Sequence, residues 1–270
     1  MIKNQINANS FALIFRGSYP IWLFSIMLLF SAANWFIDIK KWELLVNQIK
    51  KVSFYEALKQ SLSSFVLSLI TPNRMGEYGL KILFYKKNDW KKVVFFQSLH
   101  GMSQFFATLC FGFMGCLFFG YYFLASVLLF GGVVLSVLFY SKKLPSKLLF
   151  LLKKTKFISK QLAIHVIILS LIKYLIFSFQ FLLFMTFLDV KVDYFSIYFG
   201  ITLMYLFSSL VPTLHFFDVL IKGSVGIYVF NKIGIHPTFV LETALMMWLF
   251  NMLIPALIGM IFWLKIKLTW

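Results

Sequence analysis

Long apolar runs broken by short clusters of lysine set the pattern of this chain. Val93–Phe119 and Tyr121–Tyr140 contain no Lys, Arg, Asp or Glu. Tyr19–Ile39 is uncharged until Asp38, and Tyr194–Pro212 is uncharged throughout. Ala163–Leu188 holds only Lys173, and Phe239–Leu264 only Glu242. A helical crossing of a bilayer takes about 20 consecutive apolar residues. Backbone groups in lipid must be bonded internally, and none of these runs alternates as barrel strands do. The pattern predicts an all-α integral membrane protein: a polytopic helical bundle of about six to eight transmembrane segments, with one or two re-entrant hairpins. Residues 1–18 form a polar N-terminus. With no small-residue cleavage site after them, Tyr19–Ile39 is expected to remain as a span.

Composition points the same way. The chain is 61% hydrophobic, 20% aromatic and 13% charged, where soluble domains carry about 25% charged residues. Too little polar surface exists to cover a globule. The formal net charge is +17, and Arg16 and Arg74 are its arginines. The lysines fall into Lys40–Lys51, Lys86–Lys92 and Lys142–Lys160, whereas the Asp189–Asp193 connection has no positive excess. The positive-inside rule places all three clusters in the cytoplasm. That holds only if 53–85 enters and leaves on one side, as a re-entrant hairpin. Residues 141–162 mix leucine with lysine and are expected to lie as an amphipathic segment at the cytoplasmic interface. Lysines in short loops suit anionic lipid headgroups and not nucleic acid. Cys110 and Cys116 do not face each other on one helix, so neither a disulfide nor a metal pair is expected.

Two polar breaks carry the candidate chemistry. The first is Thr71-Pro72-Asn73-Arg74-Met75-Gly76-Glu77-Tyr78-Gly79. Pro72 stops a helix, and Gly76 and Gly79 permit close backbone approach. Arg74 and Glu77 share a helix face, and charges at membrane depth are paired or face water. They form either an ion pair closing the hairpin or a headgroup site, with Asn73 beside it and Arg74 free to take phosphate or carboxylate. The second break opens at Pro212 and occupies 212–230. Asp218 and Lys222 are spaced for an intrahelical pair, and His215 could join Asp218 in a proton relay or sit as a satisfied interior residue. Ser63-Ser64-Phe65-Val66 before Pro72 is echoed by Ser208-Ser209-Leu210-Val211 before Pro212, and paired interruptions can mark a transport site.

Within the spans, Lys173 lies at mid-depth and is expected to pair with Asp218 or Glu77. His100, Gln104 and Asn251 are expected to make interior hydrogen bonds. Glu242 is placed at a helix N-terminus. Phosphate loops, dinucleotide loops and zinc-binding helix motifs are absent from the sequence, and no cofactor, metal site or catalytic residue is expected.

Pro72-Asn73-Arg74-Met75-Gly76-Glu77 resembles the P-x-R-x-G-E hallmark of the lysylphosphatidylglycerol synthase transmembrane region, the flippase-like domain family. Lys41-Trp42 is similar to that family's Arg-Trp after the first span. Pro212–Ser224 departs from the family's late Gly-rich stretch, having no Gly pair and no Arg-Glu. Many members also have a span before the one matching Tyr19–Ile39. The resemblance implies a lipid translocase in a bacterial cytoplasmic membrane, handling anionic phospholipids or lipid-linked envelope intermediates. Arg74, Glu77 and Asn73, with Asp218 and Lys222, would then hold the headgroup. The aminoacyltransferase activity of two-domain members is not implied. Two other readings stay open: a small-solute or ion transporter, and a non-catalytic membrane partner of an envelope glycosyltransferase or aminoacyltransferase.

Overall fold

The computed structural model describes residues 19–72, 74–140 (133–140 as backbone), 159–188 and 190–265. The 1–18 segment, Asn73 and most of the 141–162 segment lie outside the described residues; 160–162 begin a long helix. All regular structure among the described residues is helical. In chain order the α-helices are α1 (Ile21–Val46), α2 (Phe54–Leu69), α3 (Met75–Ile82), α4 (Trp90–Phe118), α5 (Tyr122–Tyr140), α6 (Lys160–Phe187), α7 (Tyr194–Ser209), α8 (Asp218–Asn231), α9 (Pro237–Trp248) and α10 (Ile254–Leu264). A π-helical stretch, Leu249–Leu253, makes α9 and α10 one continuous rod.

Four rods are long and apolar enough to cross a membrane: Ile21–Val46, Lys87–Phe118, Lys160–Phe187 and Pro237–Leu264. Their outward side chains are apolar, with Leu29, Ile164 and Leu264 largely exposed, while Asp38 and Lys41 on the first rod, and Glu77 and Lys81 on α3, are buried. A soluble protein distributes these residues the other way round. The chain is a multi-pass helical membrane protein. Tyr194–Pro212 looked like a further span, but α7 has 16 residues. At 1.5 Å per residue, that falls short of a hydrocarbon core of about 30 Å.

The bundle has two ends. At one, Trp42, Leu45 and Val46 of α1, Val93 and Phe96 of α4, and Leu162 and Val166 of α6 pack together. Val52 and Ala57 at the start of the α2–α3 hairpin join them, with Ile82 and Tyr85 from its finish alongside. Trp42 Nε1 and Tyr85 OH both donate to Gln60 Oε1, at 2.9 and 2.8 Å, tying both arms to α1. At the other end, Leu23, Phe184, Ile197 and Phe230 pack in an aromatic-rich core. Here α1 meets α6, α4 meets α7, and α8 meets α9.

Three expectations need correction. The Lys40–Lys51 cluster is only partly a solvated loop: α1 continues to Val46 with Lys41 fully buried on its inner face, and Lys50 and Lys51 are exposed beyond it. Glu242 lies past the first turn of α9, which starts at Pro237 behind the His236 cap, so it gains nothing from the helix N-terminus. Lys173 pairs with neither Asp218 nor Glu77; its anion is Asp38.

Candidate functional site

The α2–α3 turn is locked by its own side chains. Thr71 Oγ1 donates to the Leu67 carbonyl at 2.9 Å and accepts from the Gly76 amide at 2.7 Å. Gly76 sits so close to the Leu67 backbone that a Cβ would overlap it. Between them Arg74 adopts φ 59°, and it is the one non-glycine residue with positive φ among the described residues. A left-handed conformation costs an L-residue roughly 1–2 kcal/mol. Strain of this kind persists where surrounding contacts enforce it. Here Arg74 Nε donates to Glu77 Oε1 at 2.8 Å, and a terminal guanidinium nitrogen also bonds that oxygen. The other carboxylate oxygen accepts from Gln97 Nε2 at 2.7 Å. The Arg74–Glu77 pair is therefore oriented from behind by α4.

The second break reaches the first. Pro72 and Leu214 form an isolated antiparallel bridge, and the His215 ring meets Phe65 edge-on at 5.6 Å. After the 3-10 turn His215–Phe217, α8 begins at Asp218. Lys222 Nζ lies 2.6 Å from Asp218 Oδ2 and over the Phe177 and Tyr205 rings, at 5.0 and 5.5 Å. Asp218 is thus ion-paired with Lys222, and no ion pair or hydrogen bond joins it to His215 among the described residues.

Where the breaks meet, a cavity of about 500 Å³ opens between α1, α4, α6, α7, α8 and α9. Arg74, Lys173 and Lys222 line it with Asp38 and Asp218, and so do His215, Gln104 and Asn251. Asn251, in the π-helical stretch, donates to Gln180 Oε1 at 2.9 Å and receives Asn34 Nδ2 at 3.4 Å. Pro255 has no N–H, so carbonyls one turn earlier lose their helical donor. Ser31 Oγ and Trp35 Nε1 of α1 supply replacements, bonding the Phe250 and Asn251 carbonyls at 2.6 and 3.1 Å.

Behind the cavity lies a charged layer that sequence reasoning missed. Asp38 binds Lys173, and His100 Nε2 lies 3.5 Å from its Oδ1 and 3.2 Å from its backbone oxygen. Lys41 Nζ donates to Ser170 Oγ at 3.0 Å, and Ser170 bonds Ser103. Lys81 Nζ donates to Gln97 Oε1 at 2.8 Å and lies 4.0 Å from the Trp42 ring centroid. Across cavity and layer, Lys41, Arg74, Lys81, Lys173 and Lys222 face Asp38, Glu77 and Asp218 as the anions among the described residues. The surplus is cationic. Partial signals were in the sequence: Lys41 follows Asp38 by three residues and Lys81 follows Glu77 by four, both helical-neighbour spacings.

The predicted residues divide accordingly. Arg74, His215, Asp218, Lys222, Lys173, Gln104 and Asn251 converge on the cavity, and Glu77 and His100 support it from behind. Pro72 forms the contact between the breaks. A Cβ on Gly79 would meet nothing within 4 Å, so only Gly76 of the two glycines serves close packing. Comparison of the chain with protein-family models, with curated proteins and with solved structures finds no match.

Proposed function

We propose that this protein is a translocase for lipids with anionic, phosphate-bearing headgroups in a bacterial cytoplasmic membrane. One observation carries the reading: a cavity lined by Arg74, Lys173 and Lys222, with Lys41 and Lys81 buried behind it, at the meeting point of two broken helices and edged by apolar side chains. Ile70 and Met75 beside the first break, and Leu210, Phe216 and Leu220 beside the second, are largely exposed. A polar site bordered by such residues suits a headgroup whose tails stay in hydrocarbon, since irregular backbone at membrane depth must line a cavity or be buried in protein. The same exposed tips, with both arms of α2–α3 rooted at one end of the bundle, support the re-entrant reading of 53–85. Arg74 is the primary phosphate contact, because a guanidinium forks to two oxygens. The P-x-R-x-G-E resemblance at Pro72–Glu77 agrees with this role.

The test is movement of fluorescent phosphatidylglycerol across liposomes containing the purified protein. Movement above protein-free liposomes is expected, with loss in Arg74→Gln. A folded protein that moves no anionic lipid refutes the translocase and leaves the reading as a non-transporting partner of an envelope glycosyltransferase or aminoacyltransferase.

A further inference from the structure

Six buried side-chain polar atoms among the described residues have no hydrogen-bond partner, and five of these belong to residues lining the cavity. They are Asn34 Oδ1, Gln104 Oε1, Tyr174 OH, Tyr205 OH and Trp248 Nε1, from five different helices. Asn34, Tyr174 and Tyr205 are more than nine-tenths buried. Unmatched buried polar groups are rare in native proteins, and five on residues around one space are groups for the contents of that space, water or a ligand, to complete.

Their chemistry limits that ligand. The indole N–H only donates, the amide oxygens only accept, and the phenols do both. A phosphodiester only accepts, so it can serve the indole but not the amide oxygens. Exchanging O and N of Asn34 would set its oxygen against Asn251 Oδ1, to which Nδ2 now donates, so at least one unmatched acceptor remains beside the indole donor. An ammonium headgroup only donates, so it can serve the amide oxygens but not the indole. Hydroxyl groups donate and accept without charge. Trp35, Phe65, Phe105 and Phe177 supply the apolar ring surface around these atoms, as the C–H faces of a sugar ring require.

Resting on the translocase reading, we infer that the cavity takes a polyhydroxylated headgroup, a sugar joined to lipid through phosphate. Arg74 and Lys222 hold the phosphate, and the five unmatched atoms bond the sugar hydroxyls. The volume of about 500 Å³ falls within the ~300–1,000 Å³ of small-molecule sites.

The experiment is equilibrium binding to the detergent-purified full chain, using four probes. Farnesyl phosphoglucose and farnesyl methyl phosphate share chain and charge and differ by the hexose. Dioleoylphosphatidylethanolamine supplies the ammonium, and glucose 1-phosphate supplies the sugar phosphate without a lipid. Farnesyl phosphoglucose is expected to bind at least about tenfold tighter than farnesyl methyl phosphate. Equal affinity of those two, or tighter binding of the ethanolamine lipid, overturns the sugar inference and leaves the translocase reading standing. Glucose 1-phosphate binding as tightly as the glycolipid keeps the hydroxyl chemistry and overturns the lipid source. Binding of none overturns both. The Tyr174→Phe, Tyr205→Phe double variant separates a ligand role from a structural one. Its ligand-free melting temperature should equal or exceed the parent's, because unmatched hydroxyls are removed, while the preference for the hexose narrows by about tenfold. Lower ligand-free stability with the preference intact would assign these hydroxyls to the fold and overturn the inference.

Discussion

Lys173 finds its anion across the bundle, on the residue that ends the first apolar run. In the sequence Asp38 is no more than the charge at the end of that run, with lysines following it. Only the crossing of α1 with α6 brings the two together, and no spacing along the chain encodes that crossing. Asp38 is 4% exposed, and removing one partner of a buried pair costs about 3–5 kcal/mol because the other charge is stranded. Lys173→Leu is therefore expected to melt well below the parent in detergent, and Lys173→Leu with Asp38→Asn to recover part of the loss. A higher melting temperature in the single variant would contradict the buried pair. Arg74 and Glu77, by contrast, were legible as a helical pair. Their surroundings were not: Glu77 also holds Gln97 and faces Lys81 one turn on. The exchanged double variant Arg74→Glu, Glu77→Arg would set an arginine against that lysine. We expect it to remain inactive in the liposome assay; full rescue would mean that the pair acts only as a clasp.

Helix identity was readable from the length of the uncharged apolar runs, and the breaks from Pro72 and Pro212. What each glycine does was not readable, because close approach depends on which backbone lies opposite. Gly76 and Gly79 look alike in sequence, yet only Gly76 abuts the Leu67 main chain. Gly76→Ala must push α2 and α3 apart, and overpacking of this kind costs about 1–3 kcal/mol. Gly79→Ala enters open space and removes a flexible residue from a helix, so it should leave stability equal or slightly raised. Thermal unfolding of the two variants side by side checks the contrast. The π-helical stretch was also hidden. Pro255 falls inside the run read as one uninterrupted span, and the donors that make it tolerable, Ser31 and Trp35, come from the other end of the sequence.

Loop charge described the whole molecule better than it described single residues. The C-terminal end of α1, both feet of the α2–α3 hairpin and the N-terminal ends of α4 and α6 gather at one end of the bundle. The lysine pattern assigned the loops at that end to the cytoplasm. Cysteines introduced at Lys50 and Asn88 in a background without Cys110 and Cys116 should escape a membrane-impermeant thiol reagent on intact cells. Labelling of both would reverse the orientation, and labelling of one would break the shared end. Ser146, from the third lysine cluster, lies outside the described residues.

The glycine contacts also decide which parts can shift. A Cβ on Gly76 would strike Leu67, and one on Gly259 would strike the Leu62 carbonyl, so α2 is gripped by main-chain packing from α3 on one flank and α10 on the other. These three helices form a slab without internal play. The tips of the breaks touch far more lightly, through the Pro72–Leu214 bridge and one edge-on ring, with no ion pair between them among the described residues. Under load, the light seam is the contact that parts first, while the main-chain packing of the slab holds. Spin labels at Tyr55 and Ile258, both on the slab, should keep one narrow separation in every condition, whereas labels at Ile70 and Phe216 should report a second, longer distance whenever the cavity exchanges its contents.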